Sequence, residues 1–206
     1  MKITTIGEVL IDMTEIGRDE NGIPRFQANS GGAPANVAVA VSKLGGDAGF
    51  IGCVGEDAFG AFLRETLVRY GVDVHGLQIA RDASTTLAVV TVDEKGERSF
   101  SFCRKPGADT RIDPDKAKKI ASGADILHFG SVSLTDPVCR DTIVRVVEAA
   151  KRRNWQKRFR RITGNPFIIS VMRCARERQP LRAPAGKHMN GQRIPVSSVI
   201  CFPLPA

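Results

Sequence analysis

Apolar runs of strand length alternate along the first 150 residues with segments of helical periodicity, and this beat constrains the fold more than any other feature. Ile3–Val9 reads as a strand entering a buried sheet. Pro34 opens a run of alanine and valine that suits a helix of about 11 residues, stopped by Gly45 and Gly46. AGFIGCVG at 48–55 is a second buried strand, and Asp57 begins a helix with Phe59, Phe62, Leu63 and Leu67 on one face, ended by Gly71. ADILHFGS at 124–131 is another buried strand. Thr135-Asp136-Pro137 then caps a helix whose expected core face is Val138, Ile143, Val146 and Val147. The expectation is an α/β fold, a partly parallel sheet with helices on its faces.

Two stretches depart from the beat. Residues 12–29 carry scattered polar positions, an Asn21-Gly22 turn and short alternation at Ile23, Arg25 and Gln27, which suits an exposed hairpin. Thr85–Val92 and Arg98–Phe102 alternate with period two around Asp93-Glu94-Lys95-Gly96, a second hairpin with one covered face. Both are read as excursions from the main sheet.

Charge divides the chain in two. Residues 1–150 hold 17 Lys and Arg against 21 Asp and Glu, a net of −4, whereas residues 151–206 hold 13 against 1, a net of +12. Six of the 11 prolines also lie beyond residue 150. The reading is therefore a domain over 1–150 and a basic, Pro-rich tail of unclear fold over 151–206, in which only FIISVM at 167–172 resembles a strand. A shift of reading frame near residues 151–153 would produce such a tail without selection for it. The alternative is a basic amphipathic helix over 151–162, with Trp155, Phe159 and Ile162 on one side, that binds an acidic partner, nucleic acid or a membrane surface; for the protein as a whole a nucleic-acid partner is not expected.

The five cysteines are odd in number and have no close pair, and the N-terminus lacks the apolar centre of a signal peptide, so a reduced, cytoplasmic setting is expected. No apolar run approaches the ~20 residues of a membrane span. His75 and His128 have no ligand-like spacing to each other or to the cysteines, which argues against a metal site. His128 is expected as a hydrogen-bonded core histidine, and Cys53 and Cys139 as small core residues.

The segment SGGAPANVAVAVSKLGG at 30–46 carries the chemistry. Gly31 and Gly32 remove side chains where a strand turns into a helix, letting a ligand approach backbone N–H groups at the positive helix end, with Asn36 close by. By itself a glycine pair also suits a plain tight turn. The longer order Gly31-Gly32-Ala33-Pro34-Ala35-Asn36, with Ala38, Gly45 and Gly55 at their spacings, resembles the N-terminal signature of the ribokinase-like (PfkB-type) carbohydrate kinases. GEVLIDM at 7–13, GCVGEDAFG at 52–60, SFSFCRKPGAD at 99–109 and ILHFGSVSL at 126–134 agree with that family in order, so the resemblance spans essentially residues 2–150 and is closest to fructokinases.

The resemblance implies a sugar held between an α/β body and a small β-sheet lid, with 12–29 and 85–103 as the lid segments. It implies that Asp12, at the end of the first strand, accepts hydrogen bonds from sugar hydroxyls, and that Gly31, Gly32 and Asn36 bind further hydroxyls. Phe100 or Phe102 would close the pocket. Arg104 would reach the sugar or its acidic group from the lid; read without the family it is one more solvated arginine. Cys103 stands where fructokinases usually carry an aromatic. The implied reaction is ATP-dependent phosphorylation of a sugar hydroxymethyl group, with Mg2+; D-fructose is the first expectation and 2-keto-3-deoxygluconate the second. A homodimer through the lid is also implied.

The family draws its catalytic base and anion hole from a Gly-Ala-Gly-Asp motif in the C-terminal half of the fold. No such motif occurs in 151–206, where Glu177 is the sole acidic residue. No catalytic residue is therefore assigned, the C-terminal half of the fold is expected to be missing, and the chain is expected to be inactive, at most a sugar-binding or oligomerising remnant.

Overall fold

The computed structural model describes residues 1–92 and 98–152. The 93–96 turn, the FIISVM segment, the helix expected over 151–162 and the rest of the basic tail lie outside these residues, apart from the last turn of the helix that ends at Arg152. Twelve elements follow in chain order. They are β1 (Lys2–Ile6), β2 (Leu10–Arg18), β3 (Pro24–Gly31), α1 (Ala33–Lys43), β4 (Asp47–Gly55), α2 (Ala58–Arg69), β5 (Asp73–Ala80), β6 (Leu87–Val92), β7 (Arg98–Cys103), α3 (Pro114–Ala121), β8 (Ile126–Phe129) and α4 (Pro137–Arg152).

The strands form two sheets. The body is a parallel sheet in the order β5-β4-β1-β8. The lid has the order β3-β2-β6-β7, with antiparallel hairpins β2-β3 and β6-β7 joined by the parallel pair β2-β6. The α/β body and a second sheet serving as lid are the architecture read from the sequence; the two excursions meet as one sheet of four strands, as many as the body sheet has.

The helices form for local reasons. α1 carries Pro in its first turn, where a missing N–H costs nothing, and ends at Gly45 with φ +80°. Asp57 caps α2 through Gly60 N–H, Asp113 caps α3 through Asp115 and Lys116 N–H, and Asp136 caps α4 through Cys139 N–H. α1 and α2 close over the body sheet through Ala35, Ala38, Val39, Leu63 and Leu67, which meet Phe50, Val54 and Val72 in one cluster. Ile11 and Val9 join this cluster, so the root of the lid is anchored in the body core.

Four local readings change. β1 stops at Ile6, and the chain bends through Gly7-Glu8-Val9, so Asp12 lies inside the lid strand β2 and not at the end of the first strand. Val138 is 61 % exposed, because the buried stripe of α4 runs through Cys139, Thr142, Ile143, Val146, Val147 and Ala150, and residue 138 falls outside it. Phe62 is likewise exposed, the inner face of α2 being Gly60, Leu63, Thr66 and Leu67. His128 is half-buried in β8 with no side-chain hydrogen bond to a described residue, and its pKa is lowered by burial. Cys53 and Cys139 are core residues as expected, and burial pushes their thiols up to about 11 and about 12.

Candidate functional site

The site lies where the lid meets the body, at the carboxyl ends of β1 and β8 and the N-terminus of α1. Open α/β sheets place ligands at such strand ends. Gly32, the N-cap of α1, has φ +106°, and no side chain caps the helix. A Cβ at Gly32 would stand 2.5 Å from the Glu8 carbonyl oxygen, so this position needs glycine both for its dihedral and for space. A Cβ at Gly31 would collide with the Asp12 carboxylate, which lies against the bare backbone of that glycine. The first-turn N–H groups of α1 are thus left open, with a half-buried carboxylate beside them.

Asp12 forms no hydrogen bond or ion pair with another described residue. Burial pushes its carboxyl above the ordinary range. An acceptor held in this way, half out of water and without a donor, suits a ligand that brings hydroxyl donors. Asn36 stands one turn into α1, its backbone N–H bonded to Gly32 O at 2.9 Å and its amide without a partner among the described residues.

Register decides which lid residues share Asp12's face. Asp12 pairs with Asn29 on β3 and with Ala88 on β6, and Ala88 pairs with Phe102 on β7, so the four form one row across the lid. Residues paired directly across strands project to the same side. Phe102, 48 % exposed, therefore shares the Asp12 face, and Phe100 holds the register position opposite Val90, two residues along.

Arg104 is not one more solvated arginine; its side chain is 14 % exposed and paired with Asp109, whose side chain is 1 % exposed. Nη2 stands 2.6 Å from Oδ2, off the ideal hydrogen-bond direction, and Nε donates to Oδ1 at 3.1 Å. Nη1 donates to Thr135 Oγ1 at 3.3 Å and to Val132 O at 3.5 Å. The Thr86 hydroxyl, at the start of the second lid excursion, also donates to Asp109 Oδ1, at 2.5 Å.

Sequence reasoning missed Asp109 and Glu8 as members of this region. Glu8 is 1 % exposed at the bend between β1 and β2. Its backbone N–H donates to Ser133 Oγ at 2.9 Å, the Ser133 hydroxyl bonds its Oε2, and Oε1 has no partner among the described residues. Burial raises its pKa, which Ser133 only partly offsets. The available signal was an acidic residue inside an otherwise apolar run, GEVLI; its partner lies 125 positions away, beyond any local spacing rule.

No cluster of three or more His, Cys, Asp or Glu side chains suited to a metal ion occurs among the described residues. Nor is any helix among them long and apolar enough to cross a membrane.

Comparison with known proteins places this geometry. The sequence pattern described as pfkB family carbohydrate kinase matches residues 1–180, running past the change in composition at residue 150. A probable fructokinase-3 of Arabidopsis thaliana is 43% identical over 152 residues, which cover 72% of this chain and 44% of that protein. Among solved structures, fructokinase from Xylella fastidiosa with bound ATP superposes with a TM-score of 0.69 at 38% identity, covering 74% of this chain and 49% of that one. A putative ribokinase II from E. coli gives a TM-score of 0.68 at 27% identity, covering 84% of this chain and 59% of that one. The chain spans a little under half the length of the curated relatives it matches.

Proposed function

The chain belongs to the pfkB family of carbohydrate kinases, with the ribokinase-like arrangement of body and lid, and from this premise we propose that residues 1–150 form the sugar-binding part of a fructokinase-like kinase. The observation that carries the reading is the Asp12 carboxylate, half-buried, without a partner among the described residues and lying over Gly31 beside the N-terminus of α1, which no described side chain caps. A ketohexose offers adjacent hydroxyls to the two carboxylate oxygens, and the α1 N–H groups and the Asn36 amide complement its oxygens. Phe102, with Phe100 as the alternative, covers the apolar face of the sugar from the lid. Closing the lid excludes water from the hydroxymethyl group that receives the phosphoryl.

In the complete enzyme the reaction is ATP-dependent transfer to a sugar hydroxymethyl group, D-fructose giving fructose 6-phosphate, with Mg2+ as the companion ion. Among the described residues no three His, Cys, Asp or Glu side chains cluster as a ready-made metal site, and Mg2+ would arrive with the nucleotide phosphates. The 206 residues contain no Gly-Ala-Gly-Asp segment to supply a base. This chain alone therefore binds sugar without completing transfer. Among the described residues the outer lid strands β3 and β7 have unpaired edges, and Ile16, Ile23 and Phe26 are exposed nearby, which supports pairing of two lids in a homodimer.

Titration calorimetry with D-fructose tests the binding claim. Binding that Asp12→Ala abolishes is expected, and a wild-type chain indifferent to D-fructose would sink it. A coupled assay for ATP-dependent phosphorylation reads the second claim; turnover at an ordinary enzymatic rate, about 1 per second or faster, overturns it.

A further inference from the structure

We propose that Asp109 is a specificity-determining residue, whose carboxylate neutralises Arg104 at the root of the lid so that the pocket beside Asp12 accepts neutral sugars and rejects sugar acids. This deepens the sugar-binding reading above and rests on it.

Arg104 follows β7 directly, two residues after Phe102 in the row that contains Asp12. A guanidinium there would be the natural anchor for a substrate carboxylate, by two parallel N–H···O bonds. Nε donates to Asp109 and Nη1 to Thr135 and Val132, while Nη2 stands beside Asp109 Oδ2 as an ion pair without hydrogen-bond geometry. The pair packs against the bare backbone of Gly107. A Cβ at Gly107 would stand 2.5 Å from Arg104 Cγ and 2.8 Å from Asp109 Oδ1, and Thr86 holds the same Oδ1 from the other lid excursion.

The surrounding charges act in the same direction. Glu8 lies within electrostatic reach of both Asp109 and Arg104, and Asp12 supplies a further carboxyl on the lid face. A substrate carboxylate entering here would meet several acidic groups and one cation whose charge is already neutralised. A neutral ketohexose meets no such repulsion. Discrimination thus comes from a repulsive and desolvated arrangement as much as from any contact with the preferred sugar.

The test uses the full 206-residue chain, with D-fructose and 2-keto-3-deoxygluconate as titrants. In Asp109→Asn, affinity for the sugar acid is expected to rise about tenfold or more, while that for D-fructose changes less than about threefold. Adding Arg104→Gln to that variant removes the gain. An unchanged preference in folded Asp109→Asn, or wild-type binding of the sugar acid that Arg104→Gln abolishes, overturns the proposal. Should Asp109→Asn fail to fold by circular dichroism, the wild-type Arg104 Nε–H resonance, assigned with Arg104→Gln, decides instead. It is expected to ignore millimolar D-gluconate, and a shift overturns the charge mask. Absence of D-fructose binding in every variant sinks the sugar-binding reading, and the Arg104 resonance still decides the charge mask on its own.

Discussion

Asp57 and Thr85 are joined twice, Asp57 Oδ2 accepting the Thr85 backbone N–H at 2.8 Å and Oδ1 accepting its hydroxyl at 2.7 Å. Oδ1 also accepts Gly60 N–H at 2.8 Å, so one carboxylate caps α2 and fixes the point where the second lid excursion leaves the body. Asp57→Asn keeps one acceptor and loses the other; it is expected to lower stability by about 1–2 kcal/mol by urea unfolding. Burial pushes the Asp57 carboxyl up, but the Thr85 and Gly60 donors outweigh it and hold the group below its ordinary range. A depressed folded-state pKa contributes stability above the unfolded pKa that is lost as pH falls through the folded one. The gap between wild type and Asp57→Asn should therefore be widest at neutral pH and close in acid.

The two glycines of the strand-to-helix turn separate fold from binding. At Gly32 the φ of +106° and the nearby Glu8 carbonyl oppose any side chain with rigid backbone, so Gly32→Ala should cost at least about 2 kcal/mol in urea unfolding. At Gly31 the added methyl meets the Asp12 side chain, which can rotate away. Gly31→Ala should therefore cost less than about 1.5 kcal/mol yet weaken D-fructose at least about tenfold by calorimetry. Equal loss of stability in both variants would contradict this division.

Asp12 is expected to trade stability for binding. Burial raises its folded-state pKa, so its contribution to stability is greatest at low pH and is lost as pH rises through that value. Asp12→Asn should consequently unfold at the same urea concentration as wild type or a higher one at neutral pH, while its affinity for D-fructose falls by about tenfold or more. Binding by wild type should weaken on the acid side, starting above the ordinary carboxylate range, and the residual binding of Asp12→Asn should be flat there. A neutral-pH loss of stability in Asp12→Asn would show that the carboxylate has a structural partner.

The parts legible in the sequence were those marked by local chemistry. Pro34, Gly45-Gly46 and Asp57 punctuate α1 and α2 at the positions where the structure starts and stops them. β5 escaped notice because DVHGLQIA is an edge strand, buried only at Gly76 and Ala80, with no clean alternation. α3 escaped because it has only 8 residues, too few for periodicity to assert itself over its Asp113-Pro114 start. Around the strand-to-helix turn, the dense motif marked Gly31, Gly32 and Asn36, which the structure sets at the start of α1, and the sequence also singled out Asp12, whose carboxylate lies against Gly31. The environment of Arg104 was not legible, since Val132 and Thr135 approach it, and Thr86 approaches its partner Asp109, only through the fold, and the nearby Asp109 could as well have faced water.

At the opposite end of the body sheet, Lys2 on β1 reaches Asp73 on β5, with Nζ 2.6 Å from Oδ2, and His75 Nδ1 stands 2.5 Å from Oδ1. The Lys2 backbone N–H donates to Asp125 at 2.9 Å, so the N-terminal strand is tied on both sides of the sheet. Burial pushes the Asp73 carboxyl up, but the Lys2 and His75 donors carry it well below the usual carboxylate range. The Lys2 ammonium is raised by its bond to the same carboxylate. Because both groups of the pair are about one-third exposed, Asp73→Asn should cost only about 1 kcal/mol at neutral pH. The sign follows from the two shifts: the contribution is held across the neutral range, lost in strong acid as Asp73 protonates, and lost in strong alkali as Lys2 deprotonates. Urea unfolding of wild type and Asp73→Asn should thus converge only at the extremes of pH. His75→Ala, removing a ring 87 % exposed, should stay within about 0.5 kcal/mol of wild type. A larger loss would assign the tie to the imidazole and not to the ammonium.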